Sequence, residues 1–150
     1  MQNRKDHWTV GDWMTPNPRT VPPNHSARAA FIEMRNEGFR HLIVSENRKM
    51  LGIVTDRDLR RPDISDQPEG WHEFYQPDDD YQVHDVMTQK VVTLTVQDRL
   101  EKALKLFIEN RFGALPVLDK KGDLVGILTN HDMNRAFSEV MQDYGAVMRK

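Results

Sequence analysis

The sequence predicts an α+β protein: two β-α-β-β-α repeats, related by a pseudo-twofold axis, forming one compact module. Three observations predict it. A block of about fifty residues occurs twice, each copy carries an amphipathic stripe, and each stripe is followed by two short aliphatic runs.

The repeat comes first, because a missed duplication misreads the whole fold. Val10-Gly11-Asp12-Trp13-Met14-Thr15 returns as Val83-His84-Asp85-Val86-Met87-Thr88, an offset of 73 residues. The same offset carries Thr20 onto Thr93, Ala30 onto Ala103, Phe39 onto Phe112, Leu42 onto Leu115 and Val44 onto Val117. It then becomes 74, carrying Gly52 onto Gly126, Ile53 onto Ile127, Thr55 onto Thr129 and Asp58 onto Asp132. The slip falls between two polar stretches, Glu46–Lys49 and Asp119–Asp123, where a turn tolerates a length change.

The elements follow in order within each copy. Ala27, Ala30, Phe31 and Met34, and in the second copy Leu100, Ala103, Leu104, Phe107 and Ile108, have the spacing of an apolar helix face. Asp98-Arg99-Leu100-Glu101 has capping-box spacing and is expected to start the second of these helices. His41–Val44 and Ala114–Leu118, then Leu51–Thr55 and Leu124–Thr129, are β-branched and aliphatic runs bounded by turn residues, as strands are. A closing helix is cut short by Pro62 in the first copy. In the second it continues through Met133, Phe137, Val140 or Met141, and Tyr144.

Composition bounds the function. A chain of 150 residues, 38% hydrophobic and 29% charged, is an ordinary globular domain. With no cysteine there is no disulfide, thiolate metal site or cysteine nucleophile. The start MQNRKDHW lacks the apolar core of a signal peptide and no run reaches membrane-span length, so a cytoplasmic address is expected, with no membrane partner. A net charge of −2 offers no field for nucleic acid, although local arginines can hold small phosphates.

The chemistry lies in the repeated Thr-x-x-Asp, Thr55–Asp58 and Thr129–Asp132. At a strand-to-helix junction this is the spacing of a capping box, which for one isolated occurrence would suffice as an explanation. The same place also suits a nucleotide, because a carboxylate accepts hydrogen bonds from two vicinal ribose hydroxyls. Arg57 and Arg61 map onto His131 and Arg135, giving each junction two candidate phosphate partners that a cap does not need. Upstream, Arg40-His41-Leu42-Ile43 and Gly113-Ala114-Leu115-Pro116 enter the matching strands, where an adenine ring could lie against backbone.

Together these features resemble the cystathionine-β-synthase (CBS) domain in its stand-alone tandem pair, the Bateman module, over residues 10 to 143. The Val-x-Asp-x-Met-Thr openings, Phe112-Gly113-Ala114-Leu115-Pro116-Val117 and the two Gly-Ile-hydrophobic-Thr-x-x-Asp closings carry the resemblance. It implies an arm at 1–9, a repeat at 10–61, an acidic, aromatic-containing insertion at 62–82, a second repeat at 83–143 and a tail at 144–150. It further implies a regulatory sensor that binds AMP, ADP, ATP or S-adenosylmethionine in clefts between the repeats, with no covalent cofactor. By resemblance Thr55, Asp58, Thr129 and Asp132 hold ribose. Thr20, Val21, His41 and Ile43 line one base pocket, and Thr93, Leu94, Ala114 and Pro116 the other. Arg57, Arg61, His131 and Arg135 meet phosphates. Ile43 stands where the second copy has Pro116, a departure at the first pocket.

A homodimer through the helices and a separate regulated protein are the partners implied, since no effector domain accompanies the repeats. Three other readings compete. No Gly-x-Ser-x-Gly, His-Glu-x-x-His or Walker loop supports an enzyme. Asp78-Asp79-Asp80 could attract a divalent metal, although adjacent acids diverge and more often form a solvated turn. A dimerisation module with vestigial clefts would keep the helix stripes and lose the ligand. The insertion itself combines seven acidic residues and three prolines with Trp71, Phe74, Tyr75 and Tyr81, and is expected to be a linker whose rings lie on the flank of the core.

Overall fold

The computed structural model describes residues 7–60 and 81–149, so Arg61, most of the acidic insertion with Trp71, Phe74 and Tyr75, and Asp78–Asp80 lie outside the described residues. The chain forms two compact units that cross the repeat boundaries. The first unit comprises residues 19–60 and 81–91, the second residues 7–18 and 92–149.

In the first unit, strand β2 (Thr20–Val21) runs parallel to β3 (His41–Glu46), and β3 pairs antiparallel with β4 (Lys49–Thr55). Between β2 and β3 lies helix α2 (Ala27–Glu37), capped by Ser26, whose Oγ accepts the Ala29 N–H at 3.2 Å. It ends at Gly38, φ 78°, a left-handed position where glycine carries no Cβ penalty. Asn47 and Arg48, both at positive φ, make the two-residue β3–β4 turn. The short helices α3 (Asp56–Leu59) and α4 (Val83–Val86) complete the unit. Ala27, Ala30, Phe31 and Met34 of α2 pack against Val21, Leu42, Val44, Val54, Leu59 and Val83, as the stripe predicts.

The second unit opens with helix α1 (Val10–Trp13) and strand β1 (Thr15–Pro16). Its sheet has the order β1-β7-β6-β5, with β5 at Leu94–Thr95, β6 at Ala114–Leu118 and β7 at Leu124–Thr129. Helices α5 (Leu100–Asn110) and α6 (Asn130–Met148) cover it, and Val10, Leu94, Leu100, Ala103, Phe107, Leu115, Val117, Leu128 and Ala136 form the core. The strands stop where the runs predict, with Thr55 and Thr129 each the last residue of its strand. Among the described residues no helix is long and apolar enough to cross a membrane.

Two expectations fail. The capping box at Asp98–Glu101 does not form: the Asp98 carboxylate turns back to accept the Thr95 N–H at 2.8 Å and the Lys102 ammonium at 3.1 Å. Arg99 takes the N-cap position without a side-chain cap bond. The α5 stripe is also narrower than read, since Leu104 and Ile108 are exposed, Ile108 to 70%. Leu100, Ala103 and Phe107 already fill the face toward the sheet, and the next residue along a helix lies about 100° further round. On α6 only Ala136 and half-buried Met133 join the core, while Phe137, Val140, Met141 and Tyr144 point outward.

The repeated glycine before each Thr-x-x-Asp has a packing cause. A Cβ on Gly52 would lie 2.6 Å from the Thr88 carbonyl oxygen, and one on Gly126 would meet the Met14 side chain and lie 3.1 Å from the Thr15 carbonyl oxygen. Each Met-Thr crosses directly over a strand glycine. Gly52→Ala and Gly126→Ala are therefore expected to destabilise by about 1–3 kcal/mol. Gly145→Ala, in open space on α6, should instead stabilise by about 0.5–1 kcal/mol. Urea denaturation of the three variants checks the contrast.

Candidate functional site

Strand alternation decides which predicted side chains meet. In the first unit Thr20 pairs with Ile43, Ile43 with Ile53, and His41 with Thr55. These residues share one face of the sheet, while their neighbours Leu42, Val44 and Val54 pack against α2 on the other. Thr20, His41, Ile43 and Thr55 are thus brought together as the sequence predicts. Val21 is not: paired with Val44, it sits in the core. In the second unit Ala114 pairs with Thr129, and Pro116 with Ile127, which assembles the corresponding face. Leu94, opposite Val117, is fully buried in the core instead, and Thr93 precedes the strand. The residue before the strand and the first residue within it face opposite ways, a distinction that hydrophobicity alone did not make.

Both Thr-x-x-Asp motifs close as reciprocal pairs. The Thr55 N–H donates to Asp58 Oδ2 at 3.0 Å, and the Asp58 N–H to Thr55 Oγ1 at 3.1 Å. Likewise the Thr129 N–H donates to Asp132 Oδ2 at 2.9 Å, and the Asp132 N–H to Thr129 Oγ1 at 3.1 Å. The capping box is therefore real in both copies, and a carboxylate with four acceptor positions has capacity beyond it.

Among the described residues, how that capacity is used separates the copies. Asp132 is only 2% exposed. The Thr15 hydroxyl lies 3.2 and 3.3 Å from its two oxygens, the Thr129 hydroxyl 3.0 Å from Oδ2, and Arg135 Nη2 donates to Oδ1 at 3.2 Å. Arg135 also reaches the Trp13 carbonyl and lies over the Trp13 ring, so it serves Asp132 and α1 and does not stand free as a phosphate partner. Asp58 is half-buried, and among the described residues no group donates to its Oδ1. Arg57 and His131 are exposed beside their motifs, and Arg61 lies outside the described residues.

Thr15 is the residue that sequence reasoning missed. Its signal was present in the Met-Thr that ends each opening motif, but only the pairing of β1 with β7, Thr15 opposite Ile127, shows that it reaches Asp132.

Burial holds the His41 imidazole below its ordinary value of 6.5; Asp56 opposes this, Arg40 acts with it and Asp58 opposes it. The site therefore presents at neutral pH an uncharged ring, two hydroxyls and a carboxylate, all able to hydrogen-bond a neutral polar ligand.

Comparison with known proteins fits this arrangement. The CBS-domain model matches residues 10–63 and 83–139. The chain belongs to the CBS-domain family. It is similar to CBSX2, a chloroplastic CBS-domain protein of Arabidopsis thaliana, at 30% identity over 91% of this chain and 66% of that protein. A crystal structure of CBSX2 in complex with AMP superposes with a TM-score of 0.74 at 32% identity, covering 89% of this chain and 98% of that one. Homoserine O-acetyltransferase of Methanocorpusculum labreanum is 31% identical over 89% of this chain and 25% of its own length. The chain spans 25%, 66% and 60% of three curated relatives it matches, so it corresponds to a portion of each.

A histidine whose charged form the fold disfavours contributes to pH dependence in one direction. Stability is at its full value above about pH 6.5, falls as pH drops below the unfolded value, and stops falling once pH passes the lower folded value. His41→Gln should remove that part of the slope. Urea denaturation across this window, wild type against variant, measures it; an unchanged slope would show that His41 ionises freely.

Proposed function

We propose that this chain is a regulatory sensor whose first unit binds an adenosine derivative, AMP, ADP, ATP or S-adenosylmethionine, and signals to a separate partner protein. Asp58 Oδ1, to which no group among the described residues donates, carries the reading. A ribose needs a carboxylate able to accept two hydroxyls, and Asp58, with Thr55 beside it, keeps that ability. Thr20 and His41 on the same face supply a wall for the base, with Ile43 fully buried in the strand between them, and exposed Arg57 a partner for phosphate. AMP in the CBSX2 crystal supports the ligand class.

In the second unit Asp132 is already satisfied by Thr15, Thr129 and Arg135, so a ribose there would have to displace internal donors. Thr93, Ala114, Pro116 and His131 then border a structural carboxylate. The reading gives the chain no reaction of its own; the likeness to homoserine O-acetyltransferase spans a quarter of that enzyme.

Calorimetry and thermal shift with AMP, ADP, ATP and S-adenosylmethionine test the assignment on wild type, Asp58→Ala and Asp132→Ala. Saturation near a hundred times Kd should raise apparent stability by about 2.7 kcal/mol. Asp58→Ala should weaken binding roughly ten- to a hundredfold, and should lower the stability of the free protein by about 1 kcal/mol through loss of the bond from the Thr55 N–H. Asp132→Ala should lower the stability of the free protein by roughly 2–3 kcal/mol, because it strands buried donors. No shift with any adenosine compound would leave only a dimerisation module.

One observation favours self-association as well. Leu104 and Ile108 of α5 and Phe137, Val140, Met141 and Tyr144 of α6 are large, apolar and exposed, and the groove between the two helices encloses about 350 Å³. Apolar patches of this kind mark interfaces. We infer that this face meets a second copy of the chain. Light scattering should give twice 17.5 kDa at micromolar concentration, and Ile108→Asp with Phe137→Asp should return the monomer mass. A wild-type monomer would contradict the inference.

A further inference from the structure

The first unit holds a second cavity, of about 270 Å³, on the helix side of its sheet. Phe31 and Arg35 of α2, Phe39 and Arg40 of the following turn, and Asp56 and Arg60 at α3 line it. By strand alternation Arg40 shares the side of Leu42, whereas His41 and Ile43 carry the candidate adenosine site on the opposite face.

The charges here are not required by the fold. At the equivalent positions of the second repeat Arg35 becomes Ile108, Arg40 Gly113, Asp56 Asn130 and Arg60 Asn134. That copy reaches the same architecture with all four charges removed. Among the described residues one of the three arginines is paired within the cavity, Arg60 with Asp56 at 3.8 Å, and its guanidinium also lies over the Phe31 ring at 5.7 Å. Among the described residues Arg35 and Arg40 have no ion-pair partner. Like charges gathered around a concavity repel one another, and an anion relieves that repulsion.

We propose that this cavity is a binding site for a small phosphate monoester. Among the described residues, three guanidinium groups against one carboxylate leave two positive charges, matching a phosphate monoester near neutral pH, which carries about −1.5 to −2. Guanidinium forks suit phosphate oxygens bidentately. The Phe31 and Phe39 rings give the esterified carbon skeleton an apolar wall, which a bare inorganic ion would not use. The site stands apart from the adenosine reading and does not depend on it.

Two-dimensional amide NMR and calorimetry with glycerol 3-phosphate, inorganic phosphate, sulfate and glycerol as probes test the proposal. Glycerol 3-phosphate should bind, shift the amides of Gly38 and Phe39 and leave those of Thr20 and Ile43 in place; glycerol should not bind. Arg35→Ala and Arg40→Gln, both on exposed residues, should each weaken binding at least tenfold with unchanged melting, while Lys90→Ala, elsewhere in the unit, should leave affinity unchanged. Absence of binding to wild type overturns the site, as does equal weakening by Lys90→Ala. Sulfate binding as tightly as glycerol 3-phosphate overturns the ester assignment.

Discussion

The reciprocal hydrogen bonds between Thr and Asp at the end of each final strand are the interaction on which the site depends. They fix where the strand stops, start the following helix, and aim a carboxylate from a defined position. Because one oxygen is committed to the Thr backbone in both copies, the functional question reduces to the other oxygen. In Asp58 no group among the described residues donates to it; in Asp132 the Thr15 hydroxyl and the Arg135 guanidinium occupy it.

That difference arises from how the opening segments are used. Each Met-Thr lies across a strand glycine, Met87-Thr88 over Gly52 and Met14-Thr15 over Gly126. Identical motifs thus sit in equivalent backbone positions, yet only Thr15 bonds the nearby aspartate. Trp13 makes a second difference: its ring holds Arg135, and the first unit has Val86 at that place. Duplication preserved the backbone arrangement and allowed the side chains at each junction to take separate roles.

Much of the fold was legible because it rests on local chemistry: the α2 stripe, the strand ends at Thr55 and Thr129 and the turn that absorbs the one-residue slip all follow from spacing and residue type. What escaped was set by distant partners. Thr15 meets Asp132 from 117 positions away, which no window of sequence contains. Asp98 had capping spacing but was drawn to Thr95 and Lys102, and Val21 and Leu94 looked like pocket walls until pairing placed them in the cores. Arg135 read as a phosphate partner because charge is visible in a sequence and its internal engagement is not.

A crystal structure of this chain soaked with AMP measures the central claim most directly. The account predicts ribose hydroxyls within hydrogen-bond distance of Asp58 and the bonds from Thr15 and Arg135 to Asp132 unchanged. Ribose on Asp132 with those bonds broken, and none on Asp58, would contradict it.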